Sequence, residues 1–87
     1  MRTWGTYSYT IATHFLPALI NGDTSGLTDD EVKDLLDFEA AARERVRADG
    51  FTVGHWADAE DSTNFTQCEV CGLYAETTQV YLMVYTD

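Results

Sequence analysis

The stretch Thr78-Gln79-Val80-Tyr81-Leu82-Met83-Val84-Tyr85-Thr86 decides the fold. Its residues are β-branched, aromatic or apolar, and the two-residue period of a strand puts Val80, Leu82 and Val84 on one face and Tyr81, Met83 and Tyr85 on the other. Both faces are apolar. A strand apolar on both sides belongs at the centre of its sheet, with neighbours on either side and a layer packed against it.

Upstream, Phe65 to Cys71 reads as a third strand joined to the last one through a turn at Gly72. A second strand begins at Phe51 and ends near Ala57, with Phe51, Val53 and His55 on one face and Trp56 on the other. The acidic, polar run from Asp58 to Asn64 is the connection between them. At the other end of the chain Tyr7, Tyr9 and Ile11 alternate with Ser8 and Thr10, which predicts a first strand over residues 3–12.

Two helices fill the gap between the first and second strands. Thr13 is placed to cap a short one that carries Pro17 in its first turn and closes at Gly22 in the left-handed conformation. After the turn Asp23-Thr24-Ser25-Gly26, the spacing of Thr28-Asp29-Asp30-Glu31 is that of a capping box, in which each side chain bonds a backbone N–H left unpaired at a helix start. From there a helix runs to about Ala48, with Val32, Leu35, Leu36, Phe38, Ala42 and Val46 over one broad face and Gly50 ending it. The order is β-α-α-β-β-β. This is an α+β domain spanning residues 1–87, a three- to four-stranded antiparallel sheet packed against one long helix plus a short helix, with Leu35, Leu36, Phe38, Val53 and Val80 in the core.

Size and composition agree with one modest core. An 87-residue chain, 45% apolar and 13% aromatic, buries roughly 60–65% of its unfolded surface and needs no covalent staples. Two cysteines are too few for a disulfide framework, and no apolar run approaches the ~18 residues of a membrane span. The start Met1-Arg2-Thr3-Trp4-Gly5 lacks the apolar segment of a secretory signal, which points to the cytoplasm and reduced thiols.

Fifteen acids stand against Arg2, Lys33, Arg43, Arg45 and Arg47, a net charge of −10. Nucleic acid and anionic membranes are therefore poor direct ligands, because the phosphate contacts that dominate such binding would be repulsive over most of the surface. A basic partner is favoured instead. The acids concentrate between Asp23 and Glu39, and on the long helix Asp29, Asp30, Asp34 and Asp37 fall in one sector of about 140° at ~100° per residue. These four are the candidate partner-binding residues. The plain alternative is that acids near a helix start and arginines near its end complement the macrodipole and keep the chain dissolved.

Cys68-Glu69-Val70-Cys71-Gly72 has the outline of a zinc knuckle but supplies half of a tetrahedral site. His14 and His55, the other soft ligands, come from separate elements, so no metal or other cofactor is expected and the pair reads as two small apolar side chains in a hairpin. A zinc-binding accessory protein using Cys68 and Cys71 is the alternative. No G-x-S-x-G, H-E-x-x-H or P-loop spacing occurs, and neither histidine has a partner in sequence, so catalysis is not expected. Trp4, Tyr7, Tyr9, Trp56, Tyr81 and Tyr85 are more aromatic side chains than one helix can cover, which makes an exposed aromatic patch a second candidate surface.

The run from Phe15 through Asn21-Gly22-Asp23-Thr24-Ser25-Gly26-Leu27, with the later Phe65 and Cys68-Glu69-Val70-Cys71-Gly72-Leu73, resembles short proteins of phages and mobile elements. The likeness covers about half of the chain and brings no catalytic residue with it. Small acidic phage proteins include anti-CRISPR and anti-restriction inhibitors that present carboxylates where a nucleic acid would bind. The resemblance thus implies an inhibitor in the host-cell cytoplasm whose partner is a basic nucleic-acid-binding host protein or complex.

Overall fold

The computed structural model describes residues 2–58 and 63–86. Strand β1 (Thr3–Ala12) leads into a 3-10 turn (Thr13–Phe15) and the short helix α1 (Leu16–Asn21), followed by the long helix α2 (Asp29–Ala48). Strands β2 (Thr52–Asp58), β3 (Asn64–Gln67) and β4 (Tyr74–Thr86) complete the chain. The sheet is antiparallel, with β4 at its centre. β1 pairs along β4 from Thr3↔Thr86 to Ala12↔Thr77. On the opposite side β2 pairs with residues 80–85 and β3 with residues 74–77, one after the other. β4 is paired along both edges, and its stretch from Val80 to Tyr85 is apolar on both faces.

Alternation selects the side that α2 covers. Val80, Leu82 and Val84 are fully buried beside Tyr9 and Ile11 of β1, and Leu35, Ala42 and Val46 of α2 close over them. Phe38 of α2 stacks on Trp56 at 5.8 Å between ring centroids and meets Tyr9 edge-on at 5.2 Å. Phe15, Ala18 and Leu19 extend the same core at the end of β1. Helix α2 starts where expected: the Thr28 hydroxyl accepts from the Glu31 amide at 3.2 Å and the Glu31 carboxylate accepts from the Thr28 amide at 3.1 Å. It ends at Gly50, whose φ of 88° is open to a residue without Cβ.

The structure departs from the sequence-based expectations at five places. Strict alternation in the second strand sets Trp56 against Val53, but the register slips between Val53 and His55, a bulge at Gly54. Val53 therefore faces α2 beside Val84, Trp56 joins it beside Leu82, and His55 turns to the other face beside Met83. Leu36 is no core residue: at about 340° on the α2 wheel, against about 240° for Leu35, it stays 58% exposed. The third strand is shorter than Phe65–Cys71, because the chain turns at residues 68–73 and β4 begins at Tyr74. Thr13 caps nothing: Ala12 is the residue before the 3-10 turn and no side chain bonds that end. Of the polar connection read over residues 58–64, Asp58 belongs to β2 and Asn64 to β3, while residues 59–62 lie outside the described residues.

Candidate acidic binding face

The geometry of α2 separates its charge from its packing. Leu35, Ala42 and Val46 fall at about 220–260° around the helix, whereas Asp29, Asp30, Asp34 and Asp37 fall at about 0–140°, on the side away from the sheet. All four aspartates are exposed. At ~1.5 Å per residue they span about 12 Å of helix, one carboxylate per ~3–4 Å, close to the ~3.4 Å per phosphate along one strand of duplex DNA. Lys33 lies in the same sector and is the one base in the acidic half of the helix. The arginines sit at the other end, where Arg45 lies over the Tyr7 ring at 5.1 Å and is thereby tied to the sheet. Exposed Leu36 borders the acidic sector and offers an apolar contact beside it. The exposure of Leu36 was not expected from the sequence, although its helical offset carries the signal.

The N-terminus of α2 is fastened to the 3-10 turn after β1 by a side-chain contact. His14 Nε2 lies 2.6 Å from Glu31 Oε2, while the other Glu31 oxygen completes the capping box. The Thr28 amide first, and the His14 side chain next, hold the Glu31 carboxyl below the usual glutamate range. A depressed carboxyl contributes stability above its unfolded pKa and loses it as pH falls through the folded value. Glu31→Gln keeps a residue able to cap but removes the charge. The variant should melt below the wild type at neutral pH, and the gap should close as pH falls beneath the ordinary glutamate range; a gap independent of pH in thermal melts would contradict this anchor.

The other candidates fall elsewhere. Cys68 is buried at the hairpin tip, where its sulfur accepts the Ala12 amide at 3.2 Å and the Val70 amide at 3.3 Å. Burial pushes the neighbouring Cys71 thiol up from its ordinary value, which keeps it protonated at neutral pH. Among the described residues no group of three or more His, Cys, Asp and Glu side chains converges to hold a metal ion. The tip also serves the sheet: the Glu69 amide donates to the Thr10 carbonyl at 2.9 Å and the Glu69 carboxylate accepts the Thr10 amide, which closes that part of the β1 edge. A cleft of about 210 Å³ opens between Tyr9, Phe38, Ala41, Ala42, Arg45 and Glu69, but Arg45 and Glu69 are already engaged as described. His55 stands apart on the face of the sheet that α2 leaves open.

No protein-family model, curated protein or solved structure matches the chain. Among the described residues no helix is long and apolar enough to cross a membrane.

Proposed function

We propose that this chain is a non-catalytic binding protein that docks the outer face of α2 into a basic groove built for phosphates, and so competes with nucleic acid for a host nucleic-acid-binding complex. The observation that supports it is the exposed, phosphate-like row Asp29, Asp30, Asp34 and Asp37, held on a rigid helix and aimed away from the core. Complementary charge speeds encounter more than it deepens affinity, and Leu36 beside the row supplies apolar contact that slows release. A CRISPR effector is the kind of target that the resemblance to phage proteins implies.

The test reverses the row. Replacing all four aspartates by lysine moves the net charge from −10 to −2, since each exchange adds two. The fold should persist, because the four side chains are exposed and the cost is about 0.3–1 kcal/mol for each base near the helix start. Wild-type protein immobilised in a bacterial lysate should capture a basic protein that salt and a DNA duplex both release, and the reversed variant should capture none. Capture of the same protein by the reversed variant, with unchanged affinity and salt dependence while circular dichroism reports a native fold, sinks the proposal. Screening over ~8–10 Å at physiological ionic strength sets the expected salt sensitivity.

A further inference from the structure

We propose that Cys68 and Cys71 form a reversible dithiol/disulfide couple that latches the turn between β3 and β4. Both are free thiols in the structure, Cys68 fully buried and Cys71 partly exposed. The Gly72 amide donates to the Cys68 carbonyl at 2.8 Å and the Cys68 amide to the Leu73 carbonyl at 2.9 Å, which closes one turn with Gly72 left-handed at a φ of 77°. In a turn closed across four residues, as in one turn of a helix, Cα atoms three residues apart lie about 5 Å from each other, inside the roughly 4.4–6.8 Å that a disulfide bridges. The Cys71 thiol is within hydrogen-bonding reach of the Cys68 sulfur. Two backbone amides, those of Ala12 at 3.2 Å and Val70 at 3.3 Å, hold that sulfur in place. An apolar side chain at position 68 would deprive both N–H groups of this acceptor, so the sulfur contributes more here than its volume.

The oxidant is a small disulfide of the glutathione class, and the exposures of the two thiols set the order of events. Cys71, the accessible one, gives up its proton and attacks one sulfur of the oxidant; the S–S bond of the oxidant breaks and its other half leaves as a thiol carrying one proton. Cys68, held facing Cys71, then attacks the Cys71 sulfur of this mixed disulfide. The Cys68–Cys71 bond forms, and the second half of the oxidant leaves as a thiol with the Cys68 proton. Two protein thiols are oxidised and one small disulfide is reduced to two thiols. Because burial keeps the Cys71 thiol protonated at neutral pH, the exchange is slow, which suits a latch set by the surrounding redox balance and not a catalyst of disulfide exchange. Once formed, the bond closes the tip covalently and keeps Glu69 where its amide and carboxylate cover Thr10 at the β1 edge.

Reduced, folded protein incubated with about 1 mM glutathione disulfide should become about 2 Da lighter by mass spectrometry, with both cysteines in one intramolecular disulfide, and an excess of reduced glutathione should restore the two thiols. Cys68→Ala should stop at a mixed disulfide on Cys71, whereas Cys71→Ser should take up no glutathione, because the thiol that remains is buried. The wild type decides the matter even where a variant fails to fold. Its equilibrium constant for disulfide formation against glutathione should be about tenfold or more higher in the folded chain than in the urea-unfolded chain, since the native turn already brings the sulfurs together. Wild-type protein that keeps both thiols, that stops with glutathione on Cys71, or that closes the disulfide no more favourably when folded than when unfolded overturns the inference.

Discussion

Leu82→Ala should lower the unfolding free energy by about 2–5 kcal/mol, the cost of a cavity in a core that collapses only partly. Leu82 has no exposed surface, stands at the middle of β4 between Tyr7 of β1 and Trp56 of β2, and faces α2. For 87 residues the whole stability is ~4–13 kcal/mol, so one side chain carries a large share of it. Urea unfolding should give a lower midpoint with an unchanged slope, since the native surface is the same. Leu36→Ala is the control. Removing the same atoms from a 58% exposed position should change stability by no more than about 0.5 kcal/mol. Equal losses at the two positions would mean that α2 is rotated from the orientation described.

Gly54→Ala should cost about 1–3 kcal/mol through overpacking at the bulge of β2. A Cβ at this position would lie 2.7 Å from the Met83 carbonyl oxygen and 3.1 Å from the Trp4 ring. The nearer obstacle is backbone of the central strand, which cannot move aside as a flexible side chain would. Relief requires β2 to lift away from β4 or the indole to leave the sheet, so the near-ultraviolet circular dichroism of Trp4 should change along with the melting temperature. At Gly26 no atom lies within 4 Å of a built Cβ, so Gly26→Ala should be close to neutral. A melting temperature for Gly54→Ala equal to that of Gly26→Ala would show that the close approach at the bulge is unimportant.

Much of the architecture was legible because it rests on local periodicity. The first strand over residues 3–12, the capped start of α2 at Thr28 and the central place of the last strand each follow from neighbours in sequence, and the structure has them there. The exposure of Asp29, Asp30, Asp34 and Asp37 was legible for the same reason, since helical offset from Leu35 already turns them away from the core. Leu36 was misread because an apolar residue next to the stripe looks like part of it until the width of the sheet beneath is known.

Backbone period and side-chain polarity within a few residues suffice for the list of elements, the α+β class and an acidic helix face. Long-range pairing alone fixes the bulge at Gly54 that sends Trp56 inward and His55 outward, and the turn at residues 68–73 that brings Glu69 to the β1 edge. These depend on pairing between residues distant in the chain. A one-residue slip in such pairing moves every later side chain to the opposite face, and no pattern within a single strand records it.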